Sequence, residues 1–171
     1  KKAGKTSVTV KTASNETIKI NVTVKTPSVK LTATKAPLQV KKSTTAIKVS
    51  SKISTDAISS VSSSSTSRVK AYRVKTSSGN YSTTGIKLVA QSKTGTATIT
   101  VKMKSGAKAT CKVTVQKSAV KVTSVSVPST SVTLRLAGAN KKTTYKIAAK
   151  RYPVTAASKI YYSTSNKKVA T

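Results

Sequence analysis

Hydrophobic and polar residues alternate along much of the chain with the period of two that is typical of β-strands. The clearest case places one set of apolar residues on one face of a strand, namely Ile18, Ile20, Val22 and Val24. Val8 and Val10 precede this stretch, and residues 13–16 have the composition of a turn. The pattern therefore predicts a β-hairpin within residues 1–25.

The same hairpin pattern returns further along the chain, because Gly95 follows Gly4 by 91 positions and the alternation continues without a gap. At this spacing Gly106 takes the turn position of Asn15, and both residue types tolerate left-handed backbone angles. Cys111 takes the inward position of Ile20. We therefore expect Cys111 to be a small buried hydrophobe rather than a reactive thiol.

A second repeat covers the other half of the pattern, since residues 29–40 resemble residues 125–136 at a spacing of 96. After a shift of two residues, Ile47 and Val49 fall on Tyr145 and Ile147. Residues 64–69 then match residues 164–169. This alignment predicts inward positions for Tyr145 and for one of the pair Tyr161 and Tyr162.

Repeats at a nearly fixed spacing predict an array of equal units. We expect residues 1–25 to be the final hairpin of one unit, residues 26–117 to be a complete unit, and residues 118–171 to begin a third. Each complete unit has seven or eight short strand patterns separated by turn residues, which is typical of a β-sandwich. The expected fold class is therefore all-β, with one complete unit between two partial ones.

Three stretches carry a resemblance to a known family: residues 125–134, residues 162–171, and the Gly-Thr-Ala-Thr-Ile-Thr-Val sequence of residues 95–101. They resemble the bacterial immunoglobulin-like domain, group 2, which is repeated in intimin- and invasin-type adhesins and in Gram-positive surface proteins. The resemblance implies immunoglobulin-like sandwiches displayed outside a bacterial cell, without catalysis. The central unit departs from the family pattern at Val61, where the third unit has Tyr161, and in an inserted stretch at residues 77–84.

Composition restricts the chemistry, because the chain has no His, one Cys, and only Glu16 and Asp56 as acids. Catalytic triads, carboxylate dyads, zinc sites and calcium loops need residues that are missing here. We therefore predict no enzymatic activity, no metal and no cofactor. Glu16 in a turn and Asp56 in a serine-rich loop are expected to be separate, exposed acids.

The charged residues predict a strongly cationic surface, since 33 Lys and Arg residues against two acids give a formal net charge of +31. The charge is spread evenly over the three units, and only four of the cations are Arg. Sequence-specific recognition of nucleic acid is therefore not expected, whereas nonspecific attraction to polyanions is. We expect outward-facing lysines to form this cationic surface and to discourage edge pairing of strands, for example Lys19, Lys25, Lys102 and Lys112.

Two functions remain open. The first is a structural repeat of a stalk, filament or surface layer, whose partial units are completed by neighbouring copies or units or by residues outside this sequence. Residues 1–25 and 118–171 could also complement each other between chains by strand addition. The second is an adhesin module for anionic glycans, cell-wall polymers or other polyanions, for which the candidate binding loop is Ser78, Gly79, Asn80 and Tyr81. The sequence contains no run of 18 apolar residues, so it predicts no transmembrane segment.

Overall fold

The computed structural model describes residues 3–134 and 144–169, and every regular element in these two stretches is a β-strand. The all-β prediction is confirmed. The strands in chain order are β1 (Gly4–Lys11), β2 (Thr17–Val24), β3 (Val29–Leu31), β4 (Lys35–Gln39), β5 (Ser43–Thr44), β6 (Val49–Ser51), β7 (Ile58–Ser63), β8 (Val69–Lys75), β9 (Tyr81–Ala90), β10 (Gly95–Met103), β11 (Lys108–Gln116), β12 (Ser124–Ser126) and β13 (Lys150–Tyr152).

A four-stranded layer with the order β4-β11-β10-β7 forms one side of the central fold. β10 and β11 are antiparallel, and β7 pairs antiparallel with the free side of β10. β4 instead pairs parallel to β11, with Lys35 opposite Lys112 and Gln39 opposite Gln116. β4 and β7 are therefore the two edges of this layer.

The second layer is assembled from two smaller sheets, β5-β9-β8 and β3-β6. An isolated antiparallel bridge between Lys48 and Gly85 connects the β6 side to β9. The two layers enclose one hydrophobic core, whose members come from both: Ile47, Ile86 and Leu88 on one side and Ile99, Val101 and Val113 on the other. The core follows from the period-two pattern, because each strand contributes every second side chain.

β1 and β2 form a separate two-stranded sheet in which every residue is exposed. Gly4 pairs with Val24 and Lys11 with Thr17. In the turn, the Thr12 N–H donates to the Glu16 carbonyl at 2.9 Å and the Asn15 N–H donates to the Thr12 carbonyl at 3.1 Å. The predicted hairpin is therefore confirmed, although its apolar face lacks the cover that β10 and β11 have.

The β1–β2 hairpin has the same register as the β10–β11 hairpin at the spacing of 91 residues. Gly95 pairs with Val115, as Gly4 pairs with Val24. Gly106 has a φ of 88° where Asn15 has a φ of 68°, so both turns use a left-handed residue at the expected position. The two turn hydrogen bonds also recur, with lengths of 2.8 and 3.0 Å in the second hairpin.

Residues 118–134 and 144–169 contain only β12 and β13, in which Val125 pairs with Arg151. In the central fold the counterpart of Val125 is Val29, which pairs with Ser51. Because Val29 and Val125 are counterparts, their pairing partners Ser51 and Arg151 are counterparts too, at a spacing of 100 residues. The alignment of Ile47 and Val49 with Tyr145 and Ile147 is therefore wrong by two residues, a slip that keeps every side chain on its face.

The tyrosine predictions for this segment are only partly correct. Tyr145 is half-buried. Tyr161 and Tyr162 are 85% and 61% exposed, so neither of them packs in a core. Their expected inward face would need a covering hairpin like β10–β11, and no described residue of this chain covers it. The domain boundaries at residues 25/26 and 117/118 stay a prediction.

Candidate functional site

The carboxylate of Asp56 is a buried polar group of the central fold that accepts three hydrogen bonds from side chains and backbone. The Ser105 N–H donates to Oδ1 at 3.1 Å, and the Ser105 hydroxyl donates to Oδ2 at 2.6 Å. The Ser51 hydroxyl also donates to Oδ2, at 3.3 Å. Asp56 therefore joins the end of β6 to the β10–β11 turn, across 49 residues of sequence. We call this arrangement the Asp56 clasp.

These hydrogen bonds decide the protonation of Asp56. The hydroxyl donor Ser105 lowers the pKa of the carboxyl below its ordinary value of 3.8, and desolvation opposes this effect without reversing it. The backbone donors Ser105 and Ala57 and the hydroxyl of Ser51 lower the pKa further. The clasp is thus charged at neutral pH and is held by neutral donors rather than by a lysine.

The expectation that Asp56 is an exposed acid is wrong, because the residue is only 7% exposed. Its partner Ser105 is too distant in sequence for local patterning to reveal the contact. The sequence feature that could have singled out Asp56 is that it is the only acid among residues 26–117. Glu16 is exposed in the β1–β2 turn, as expected.

The equivalent corner of the third segment shares one backbone hydrogen bond with the Asp56 corner, but it has different side chains and a cis Tyr152–Pro153 peptide bond. The Ala156 N–H donates to the Pro153 carbonyl at 3.0 Å, as the Asp56 N–H donates to the Ile53 carbonyl at 3.1 Å. Ala156 takes the place of the carboxylate, and Arg151 takes the place of Ser51. The Nε of Arg151 is buried and has no hydrogen-bond partner among the residues that the structure describes, a costly condition for a guanidinium group.

A groove of about 610 Å³ lies along this corner. Arg151, Tyr152, Val154 and Ile160 line it, together with Thr32 and Ala46 of the central fold. The hydroxyl of Thr155 donates to the Pro37 carbonyl at 2.6 Å and so ties the corner to β4. Arg151 and the neighbouring Lys150 therefore place two cationic side chains along a groove with largely apolar walls.

The candidate binding loop forms the tip of the β8–β9 hairpin, where Ser78, Gly79 and Asn80 are exposed. Its backbone is closed on itself, since the Thr76 N–H donates to the Asn80 carbonyl at 2.7 Å. Tyr81 is half-exposed, and the guanidinium carbon of Arg73 lies 3.7 Å from the centre of its ring. The ring is therefore stacked on a cation rather than free on both faces, and a binding role for this loop stays a prediction.

The four lysines named for the cationic surface, Lys19, Lys25, Lys102 and Lys112, are all exposed. Their expected role at strand edges needs a correction for two of them. Lys102 lies on β10 and Lys112 on β11, which are the interior strands of the four-stranded layer. They cannot block edge pairing, because both edges of their strands are already bonded.

Cys111 is fully buried, as expected from its alignment with Ile20. Burial raises the pKa of the Cys111 thiol to about 11. The neutral thiol thus acts as a small core side chain, and its chemistry is suppressed.

The parts of the chain described, residues 3–134 and 144–169, contain no cluster of three or more His, Cys, Asp or Glu side chains that could hold a metal ion. The same residues include no helix long and apolar enough to cross a membrane.

No protein-family model matches the chain, and no curated protein matches it. Among solved structures, it is similar to the crystal structure of the S-layer protein rSbsC(31-844), at 23% identity over 73% of this chain with a TM-score of 0.45. It is also similar to domains 4 and 5 of the S-layer protein SbsC, at 24% identity over 66% of this chain and 58% of that chain, with a TM-score of 0.43. The chain spans 18% of the length of rSbsC(31-844).

Proposed function

We propose that this chain is a non-catalytic structural segment of a bacterial surface protein, built from tandem immunoglobulin-like units and displayed outside the cell as a stalk, filament or layer. The observation that carries the proposal is the repeated hairpin. β1–β2 and β10–β11 share their register and their turn hydrogen bonds at a spacing of 91 residues. Similar units at a nearly fixed spacing are typical of a repetitive scaffold.

The topology of residues 26–117 supports the immunoglobulin-like part of the proposal. The second strand of this stretch, β4, lies parallel to the last strand, β11, at one edge of a four-stranded layer. The opposite layer runs through β3, β6, β9 and β8, with the Lys48–Gly85 bridge closing the middle. Two such layers around one core form the sandwich arrangement.

Labelling of intact cells tests the surface location. An antibody raised against residues 26–117 should bind unpermeabilised cells of the organism that produces the protein, and external protease should remove the epitope. An epitope that becomes accessible only after lysis would contradict the proposal. A cytoplasmic protein of known location serves as the control for cell integrity.

A second function, adherence to an anionic polymer, is favoured by the charge of +31. Lysines on the outward strand faces offer hydrated point charges without a common site, which suits a flexible polyanion such as a cell-wall polymer or an acidic glycan. Binding of this kind releases counterions, so the affinity for a teichoic acid or DNA column should fall by orders of magnitude between about 50 and 200 mM salt. Retention that survives molar salt would contradict it.

A further inference from the structure

Two pairs of lysines lie opposite each other on the outer face of the four-stranded layer. Lys102 on β10 is opposite Lys108 on β11, and Lys112 on β11 is opposite Lys35 on β4. All four side chains are exposed. In the strand ladders of residues 3–134 and 144–169, no other pair of opposite residues consists of two cations. We call these four residues the lysine face.

The fold does not require lysines to be paired in this way. The β1–β2 hairpin has the same register, and each lysine of its ladder lies opposite a threonine: Lys5 opposite Thr23, Lys19 opposite Thr9, and Lys11 opposite Thr17. At the spacing of 91 residues, the Lys11–Thr17 pair is the counterpart of the Lys102–Lys108 pair. One position of the ladder therefore takes a neutral residue in the first hairpin and a second cation in the other.

The paired lysines are unfavourable for the free chain. Like charges directly opposite each other destabilise a sheet, because their Cβ atoms are only about 4.5–5.5 Å apart. Edge protection does not explain them, since β10 and β11 are interior strands. Neither acid stands among them, because Glu16 lies in the β1–β2 turn and Asp56 is buried in its clasp. An anion from outside the chain would offset this repulsion.

A row of hydroxyl side chains lies between the two lysine pairs. Thr100 is opposite Thr110 on one side and opposite Ser62 on the other. Lys108 and Lys112 are four residues apart on β11, so the two pairs are about 13 Å apart along the strand. The face thus presents a cationic row, a hydroxyl row and a second cationic row in succession.

These rows suit a flexible polymer that carries phosphodiester groups. A lysine ammonium binds phosphate oxygens as a point charge, without the fixed fork of arginine, and β4, β7, β10 and β11 contain no arginine. The hydroxyl row supplies further donors. A flat sheet touches a stiff, cylindrical duplex only along a narrow line, whereas a flexible single chain can lie across both lysine pairs.

We propose that the lysine face binds a flexible phosphodiester polymer of the poly(glycerol phosphate) type, with phosphates at both lysine pairs and the chain crossing the hydroxyl row between them. The inference rests on the second proposed function, adherence to an anionic polymer, and deepens it by naming the face and the chemistry of the partner. Outward lysines that stand opposite neutral residues attract a polyanion without ordering it.

Two fourfold variants with the same net charge test the location. The face variant replaces the paired lysines: Lys35→Gln, Lys102→Gln, Lys108→Gln and Lys112→Gln. The control variant makes the same change at exposed lysines of the second layer, each opposite a neutral residue: Lys30→Gln, Lys48→Gln, Lys70→Gln and Lys87→Gln. Each variant removes four positive charges from the same net charge of +31.

Binding of poly(glycerol phosphate) is measured by calorimetric titration at several salt concentrations. The face variant should bind at least about tenfold more weakly at about 50 mM salt. Its slope of log K against log salt should be shallower by about 3, because each of four lost phosphate contacts contributes about 0.7. The control variant should stay within about threefold of wild type, with a slope changed by less than about 1.

The outcomes separate this inference from the function on which it rests. Equal losses in the two variants would overturn the lysine face and leave adherence to polyanions standing. Wild type that does not bind the polymer at all would overturn that function, and the inference with it. Duplex DNA at the same phosphate concentration should lose less than about threefold in the face variant, and a loss as large as that of the polymer would overturn the assignment to a flexible chain.

A single substitution tests whether the paired lysines exchange stability for binding. Lys108→Thr recreates the Lys11–Thr17 pair of the first hairpin. It should raise the melting temperature of the free chain and weaken polymer binding by about threefold or more. Lys30→Thr, opposite Ser50, controls for the higher strand propensity of threonine and should have smaller effects on both. Equal effects of the two substitutions on polymer binding would overturn the role of the pair.

Discussion

The two hairpins β1–β2 and β10–β11 form a natural internal comparison, since they share register, turn geometry and face pattern but differ completely in burial. Val113 and Cys111 are fully buried in β11, whereas their counterparts Val22 and Ile20 are 36% and 51% exposed. Strand pairing in this protein is thus specified locally, by alternation and by the turn residue. Burial is specified by what the rest of a unit adds, namely β4, β7 and the opposite layer.

Truncation of one equivalent side chain in each hairpin should give the largest contrast. Ile99→Ala removes a fully buried side chain and should lower the free energy of unfolding by about 2–5 kcal/mol. Val8→Ala is the matched change and should cost at most about 0.5 kcal/mol in the dilute chain. Urea unfolding followed by circular dichroism measures both, and equal losses would show that the first hairpin is packed after all.

The Asp56 clasp is the next difference between the hairpins, because among the described residues the turn of β1–β2 has no carboxylate partner like the one that Asp56 gives the β10–β11 turn. Asp56→Asn should lower the melting temperature at neutral pH, since the Ser105 donors lose their charged acceptor. The pKa of Asp56 is lowered by folding, so the wild-type stabilisation is present above pH 3.8 and disappears as the pH falls through the lower folded value.

The melting temperatures of wild type and Asp56→Asn should therefore differ at neutral pH and converge in acid, once the pH is below the folded pKa of Asp56. Ser51→Ala is a milder control, because it removes only the 3.3 Å hydrogen bond. A difference between wild type and Asp56→Asn that persists unchanged below the folded pKa would refute the clasp as a charged interaction.

The turn residues offer a smaller contrast. Gly106 has a φ of 88° with no neighbouring atom near an added Cβ, so Gly106→Ala should cost about 1–2 kcal/mol through backbone strain alone. Asn15→Gly places the more permissive residue at the equivalent position and should change stability by no more than about 0.5 kcal/mol. Thermal unfolding of the two variants measures the difference. If Asn15→Gly destabilised the chain as much as Gly106→Ala does, the turn at Asn15 would not be equivalent to the turn at Gly106.

Thiols at the equivalent positions 111 and 20 should differ little in their effect on stability but strongly in their rate of alkylation. Cys111 should resist alkylation at pH 8 in the folded chain, because burial raises its pKa to about 11 and blocks access. In a Cys111→Val background, which should cost less than about 1.5 kcal/mol, Ile20→Cys should react at the rate of a free thiol. Mass spectrometry of iodoacetamide-treated protein measures both rates. Protection of the new thiol in a dilute monomer would contradict the exposed hairpin face.

The sequence was informative where local pattern determines structure. Alternation predicted the hairpin of residues 1–25, and the exchange of Asn15 for Gly106 identified the left-handed turn position. The same alternation predicted the burial of Cys111. Each of these depends on residues within one hairpin, where the period of two and the turn chemistry agree.

Features that depend on distant contacts could not be predicted. The burial of Asp56 depends on Ser105, which approaches only after β10 and β11 have paired. The alignment near Ile47 was displaced by two residues because a period-two pattern fits equally well after such a slip. Arg151 gave no signal either, since its unpartnered Nε is visible only once β12 and β13 have paired.

The parallel pairing of β4 with β11 has a consequence for a chain under tension. A force that separates the two ends of residues 26–117 pulls β4 and β11 along their axes in opposite directions, because the two strands run parallel. Hydrogen bonds from Val40 to Gln116 and from Lys112 to Thr34, at 2.9 and 2.8 Å, flank the pair. All of these bonds bear the load together in shear, instead of opening one after another as in a hairpin pulled at its open end. The pairing of β4 with β11, which completes the four-stranded layer, is therefore also the contact that resists unfolding under tension.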